Sequence, residues 1–155
     1  MNIKKIAIIL FFTLLLSNVF SQENDETIIQ FNYTNKLAYS ENFTGAIRMY
    51  KQMISFNPQN PVFYYKLGFA YLNTINKADS AVINFKISNK LYTDKYRAEV
   101  SIWDIKFYLA RAYRLNKNID SSLMILENLR IDSHNKQFIE NINNELIITR
   151  KSIDN

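Results

Sequence analysis

The sequence predicts an all-α fold, and three observations support this prediction. Glycine and proline are rare, with two of each in 155 residues, whereas β folds with many tight turns need more of both. Apolar residues make up 48% of the chain, which is enough for a buried core in one domain of average size. Apolar side chains also recur at helical spacing in successive segments that short polar stretches separate.

The chain begins with a segment typical of a secretory signal peptide. Two lysines precede an apolar run over residues 6–16, and a plausible cleavage point lies before Gln22. The run is shorter than the roughly 20 residues that a membrane helix needs. We therefore predict that residues 1–21 are removed and that the domain is exported, periplasmic or secreted, after a polar linker over residues 22–26. The alternative is an uncleaved segment that anchors the domain in the membrane.

The first helical pair is predicted over about residues 27–40 and 43–56. The apolar residues at helical spacing in the first of these helices are Ile28, Phe31, Tyr33 and Leu37. Those on one face of the second are Ala46, Ile47, Tyr50, Met53 and Ile54. Asn57-Pro58 should end the second helix, because the residue before a proline avoids helical geometry.

The second pair, within residues 61–94, has the most regular pattern. Its helices are predicted over about residues 61–72 and 78–91, and Pro61 suits the first helical position. The residues expected between the two helices are Leu67, Gly68, Tyr71, Ala81 and Phe85. We expect Gly68 to let a neighbouring helix backbone come close.

The third pair repeats the pattern with a longer spacing. Its matching residues are Leu109, Ala110, Tyr113, Ser122 and Leu126, and Leu109 follows Leu67 by 42 positions. The extra residues contain no helix breaker, so we expect one long helix from about Lys95 to Leu115, with Asp94 as its N-cap. Its aromatic face would then be a partly exposed candidate interface, formed by Tyr96, Val100, Trp103 and Phe107. The alternative is that this stretch packs back onto the second pair or forms its own short helix.

Two more helices complete the predicted fold, over about residues 119–131 and 137–151. The apolar face of the last one consists of Phe138, Ile139, Ile142, Leu146 and Ile147. A stack of helical pairs needs such a cap, because the last pair would otherwise expose its packing face to water.

The order of Leu67-Gly68, Tyr71, Ala81 and Phe85 resembles the tetratricopeptide repeat (TPR) pattern. The first pair is similar, since Tyr33 precedes Leu67 by the 34 positions typical of this family. The resemblance implies an α-solenoid of about three TPR-like hairpins and a C-terminal capping helix. The repeats would span about residues 27–60, 61–94 and 103–136, within a domain over residues 27–152, and the cap residues 137–151. Other helical-hairpin repeats and a non-repeating helical bundle are the alternatives.

The resemblance also implies a concave groove, lined by the first helix of each pair, that binds a peptide or helix of another protein. The residues of this sequence that the resemblance places in the groove are Phe31, Asn32, Asn35, Tyr39, Tyr65, Lys66, Phe69, Asn73, Phe107, Arg111 and Arg114. The two amides Asn35 and Asn73 can both donate and accept hydrogen bonds. The three basic side chains would favour a carboxylate on the partner. The alternative is that all three are solvated surface charges.

Other function classes have little support in the sequence. Cysteine is absent, so disulfides, thiolate zinc sites and a catalytic thiol are excluded. The single histidine, His134, is predicted in a loop, and no phosphate-binding loop or nucleophile motif occurs. The net charge of +5 is scattered, which does not favour nucleic-acid binding. We therefore predict no enzyme, cofactor or metal site. The alternative to a binding scaffold is a component that self-associates through the long helix or the cap, or one tethered to the membrane.

Overall fold

The computed structural model describes residues 28–38 and 40–153, which form seven helices and no strand. The helices are α1 (28–38), α2 (Phe43–Phe56), α3 (Pro61–Leu72), α4 (Ala78–Leu91), α5 (Ile102–Leu115), α6 (Ile119–Asp132) and α7 (Lys136–Lys151). The predicted signal peptide, the linker and the groove candidate Tyr39 lie outside the described residues.

The helices form an α-solenoid of helical hairpins, as the sequence predicts. From α2 onward, each helix packs mainly against the next one along the chain. In addition, α3 touches α5 and α5 touches α7, while the rings of Phe31 in α1 and Phe63 in α3 lie 6.0 Å apart. The odd-numbered helices therefore follow one another along one wall of the stack. None of the helices in the described part of the chain is both long and apolar enough to cross a membrane.

Asparagine, a weak helix former, defines several helix starts. A side-chain oxygen at the N-cap accepts a hydrogen bond from a backbone N–H of the first turn in five helices, at Asn42, Asn60, Ser101, Asn118 and Asn135. Such a cap contributes about 1 kcal/mol to a helix. The asparagines that lower helix propensity inside a helix therefore stabilise the starts of α2, α3, α6 and α7.

The core of the second hairpin is buried as predicted. Leu67, Tyr71, Ala81 and Phe85 are all buried in one cluster. The role expected for Gly68 needs correction, because a Cβ built there would meet the Phe85 ring at 3.0 Å rather than a helix backbone. The missing side chain therefore makes room for a buried aromatic ring of α4.

The predicted long helix from Lys95 to Leu115 is wrong. A 3-10 turn covers Asp94–Tyr96, and α5 begins only at Ile102, where the Ser101 hydroxyl caps the Trp103 N–H at 3.1 Å. Before this start, the N–H of Val100 donates to the carbonyl of Tyr96, and the Val100 side chain is only 5% exposed. The cap and the burial of Val100 together turn the chain back onto the core. This corresponds to the alternative in which the stretch packs separately.

The outer faces of the two end helices differ from prediction. Ile28 and Tyr33 in α1 and Ile147 in α7 were expected on apolar packing faces, but each is more than half exposed. Of the other predicted positions on this face of α7, Ile142 and Leu146 are buried, and Phe138 and Ile139 are partly buried.

Candidate functional site

A groove of about 370 Å³ lies between α1, α2 and α3. Its lining residues are Asn35, Ala38, Glu41, Phe43, Tyr50, Tyr65, Lys66, Phe69 and Asn73. Five groove candidates predicted from the sequence therefore come together here, namely Asn35, Tyr65, Lys66, Phe69 and Asn73. Sequence reasoning did not place Tyr50 in the groove, because its helical spacing indicated a core position, and it gave Phe43 no role beyond the start of the second helix.

The aromatic wall of the groove is held from behind by the next hairpin. The Tyr108 ring of α5 meets Tyr65 and Phe69 edge to face, with centroids 6.0 and 5.4 Å away. Tyr65 also packs against the buried ring of Phe85 at 5.9 Å. Aromatic pairs of this geometry contribute about 0.5–1.5 kcal/mol each beyond their buried area. The wall is therefore a preformed surface.

In each of the two side-chain amides in the groove, one polar atom already forms a hydrogen bond within the protein. The hydroxyl of Tyr50 donates to Oδ1 of Asn35 at 2.8 Å. The Nδ2 of Asn73 donates to the carbonyl of Phe69 at 2.8 Å, at the end of α3. Asn35 therefore retains its amide donor and Asn73 its carbonyl acceptor. A donor and an acceptor are what one peptide unit of an extended segment needs.

Among the described residues, Lys66 is the only basic one that lines this groove, and its side chain makes no ion pair or hydrogen bond with any of the others. Burial lowers the pKa of Lys66, because desolvation disfavours the charged ammonium. Glu41 also lines the groove, but it lies beyond ion-pair distance of Lys66. The groove thus holds a partly desolvated cation that forms no ion pair with Glu41 or any other described residue.

Arg111 and Arg114 do not line this groove. Their Nε atoms lie 3.4 and 2.7 Å from the carboxylate oxygens of Glu145 in α7, whose side chain is 6% exposed. The chain itself therefore supplies the carboxylate that we expected from a partner, and Arg114, at 14% exposure, is not a solvated charge either. Sequence reasoning missed Glu145, although it lies between Ile142 and Leu146 on the buried face of α7.

The other groove candidates also lie elsewhere. Phe31 packs against Phe63 and the core, and Phe107 packs against Phe138 of α7 with the centroids 5.7 Å apart. Asn32 is exposed and is not part of the groove lining. Of the ten candidates within the described residues, five therefore do not contribute to the groove.

Comparison with known proteins supports the assignment of the hairpins. No curated protein matches the chain. One family model matches residues 35–74, which include all of α2 and α3. These residues, which carry the five predicted side chains found in the groove, match the family model described as a TPR repeat.

Proposed function

We propose that this chain is a protein-binding scaffold whose groove between α1, α2 and α3 holds an extended segment of a partner protein, with an acidic side chain of that segment on Lys66. The observation that carries the proposal is the ammonium of Lys66, which lies in the groove without a partner from the described residues. The match to the TPR repeat supports it, since such repeats typically bind other proteins. We assign no catalytic role to the groove.

An incoming carboxylate would change the energetics of Lys66. In the free protein, the ammonium has lost part of its hydration and gained no counter-charge. A hydrogen bond between two charged groups in such a setting contributes about 1.5–3 kcal/mol. This corresponds to about a 10- to 150-fold change in the dissociation constant.

The rest of the groove suits the backbone and an apolar neighbour of that acidic residue. The free donor of Asn35 and the free acceptor of Asn73 can bind one peptide unit. The rings of Tyr65 and Phe69 offer a rigid apolar wall for the adjacent side chain. A short segment with an acidic residue next to an apolar one therefore fits the groove.

Selection from a displayed library of random peptides tests this proposal. We expect the enriched peptides to contain aspartate or glutamate beside an apolar residue, and Lys66→Met to weaken their binding about tenfold or more. The matched control is Lys86→Met, because Lys86 is exposed on α4. Enriched peptides without an acidic residue, or equal binding by the Lys66→Met variant, would contradict the proposal.

We further propose that the scaffold works outside the cytoplasm after cleavage before Gln22. The support is the basic, apolar and cleavable arrangement of residues 1–21 in the sequence. N-terminal sequencing of the protein purified from its native host should give a chain that starts at Gln22. A chain that still starts at Met1 would favour the membrane-anchored alternative.

A second candidate function is self-association through the ends of the solenoid. The exposed large apolar side chains at the two ends are Ile28, Ile29 and Tyr33 on α1, and Ile147, Ile148 and Ile153 at and after α7. A contact between such different end surfaces would be heterologous and would produce open chains of molecules. Light scattering over a concentration series should then show growing mass that Ile29→Gln and Ile148→Gln each reduce. A monomer at every concentration would exclude this candidate.

A further inference from the structure

A second cleft, of about 500 Å³, lies where the start of α5 meets the junction of α6 and α7. Its aromatic side is formed by Trp103 and Phe138, whose rings meet at 77° with centroids 6.4 Å apart. The ring of Phe107 also contacts that of Phe138, with the centroids 5.7 Å apart. The two rings therefore form a fixed corner, and Trp103 is 37% exposed.

The lining of this cleft also includes two carboxylates. Asp104 belongs to the first turn of α5, and Asp132 is the last residue of α6. Neither side chain forms an ion pair or a hydrogen bond with the described residues, and no lysine or arginine among those residues lines the cleft. Asp104 is partly buried, and this burial raises the pKa of its carboxyl group. His134 is the third ionisable group in the lining.

We propose that this cleft binds an arginine side chain of a partner protein, with the guanidinium stacked on Trp103 and hydrogen-bonded to Asp104. A cation is attracted to the face of an aromatic ring, and tryptophan gives the strongest attraction. A guanidinium is planar, so it stacks on an indole and at the same time donates two parallel hydrogen bonds to one carboxylate. An ammonium lacks this planar geometry, so arginine should be preferred to lysine.

This inference does not depend on the groove proposal. The cleft lies on α5, α6 and α7, whereas the groove lies on α1, α2 and α3, and the two share no lining residue. The two proposals also use opposite charges, because the groove proposal relies on the cation of Lys66 and the cleft proposal on the carboxylate of Asp104. Failure of one proposal therefore leaves the other intact.

Fluorescence of the full chain provides the test, because Trp103 is its single tryptophan. The probes are N-acetylarginine amide and the neutral isostere N-acetylcitrulline amide. We expect a saturable change in tryptophan emission with the arginine compound. The citrulline compound and the corresponding lysine amide should bind about tenfold more weakly or weaker still.

The variant Asp104→Asn should weaken binding of the arginine compound about tenfold. The matched control is Asp120→Asn, which removes an exposed carboxylate from the first turn of α6 and leaves the cleft unchanged. Circular dichroism checks that each variant is folded, and Asp104→Ser takes the place of Asp104→Asn if the latter unfolds. Equal affinity for the arginine and citrulline compounds, or unchanged affinity in the cleft variants, would overturn the proposal. Lysine binding as tight as that of arginine would overturn the assignment of a guanidinium.

Discussion

Replacing Gly68 by alanine should destabilise the protein by about 1 kcal/mol, although alanine is the better helix former. The new Cβ would lie 3.0 Å from two carbons of the Phe85 ring and 3.1 Å from a third. That ring is fully buried and is held by Tyr65 and Tyr108, with centroids 5.9 and 6.2 Å away, so it has little room to move. Overpacking of this kind costs about 1–3 kcal/mol, and the gain in helix propensity returns about 1 kcal/mol.

The matched control is Gly45→Ala, at a glycine that is also helical. The three atoms nearest to its added Cβ all belong to the side chain of Asn42, at 3.0–3.2 Å, and this exposed side chain can rotate away. Rotation would weaken the cap bond from the Gly45 N–H, which costs about 1 kcal/mol and roughly offsets the gain in helix propensity. The control should therefore leave stability nearly unchanged.

Urea unfolding, monitored by far-ultraviolet circular dichroism, measures the stability of both variants. In thermal unfolding, the midpoint temperature of Gly68→Ala should lie about 2–4 °C below that of the wild type. A double-mutant cycle with Phe85→Leu then tests the cause. Because leucine is smaller than phenylalanine, Gly68→Ala should cost less in the Phe85→Leu background. If Gly68→Ala were as harmless as Gly45→Ala, or equally costly in both backgrounds, contact with the ring would not explain the glycine.

Two further predictions concern the charged side chains. Glu145→Gln should destabilise the protein by about 2 kcal/mol in urea unfolding. Loss of one partner of a buried pair costs about 3–5 kcal/mol, and the expected cost is lower because glutamine keeps an acceptor for Arg114. The exposed control Glu140→Gln should change stability by less than about 0.5 kcal/mol. Lys66→Met should stabilise the free protein at neutral pH, because burial lowers the pKa of Lys66 in the folded state below its ordinary 10.5. The ammonium therefore destabilises the fold below the folded pKa, and this destabilisation disappears as the pH rises from there to about 10.5. The urea midpoints of the variant and the wild type should converge over that range, and a pH-independent difference, or the same convergence for Lys86→Met, would contradict this account.

The helices with strong local signals were predictable from the sequence. For α2, α3 and α4, the expected and observed ends agree. Asn57-Pro58 ends α2, and Pro61 occupies the first position of α3 after the capping Asn60. These signals act within a few residues, so a single sequence contains all the information that they need.

The start of α5 could not be predicted in the same way. Nothing between Asp94 and Ser101 is incompatible with a helix, and the break depends on burial of Val100 against the core. The hydroxyl of Ser101 then caps the new start. Burial of that side chain is a tertiary effect, which outweighs a continuous helical pattern.

The residues of the candidate site also divide into those that a local pattern predicts and those that depend on tertiary contacts. The groove residues Lys66, Phe69 and Asn73 follow from their positions on one helix face, and the structure places them together. The pair between Arg114 and Glu145 joins residues 31 positions apart, so no local pattern could reveal it. The resemblance placed Arg114 in a groove, but it could not show that α7 brings a carboxylate to it.

Lys66 and Arg114 have different surroundings, so we expect Lys66 to act in binding and the pair of Arg114 and Glu145 to act in stability. Both are partly buried cations on odd-numbered helices, but Arg114 has the carboxylate of Glu145 at 2.7 Å, whereas Lys66 has no ion-pair partner among the described residues. A cation that is paired internally has little left to offer a ligand, and removal of its partner destabilises the fold. An unpaired one weakens the fold and is available to an incoming carboxylate. Removal of the Lys66 charge should therefore raise stability and lower affinity, whereas removal of the Glu145 charge should lower stability and leave peptide binding at the groove unchanged.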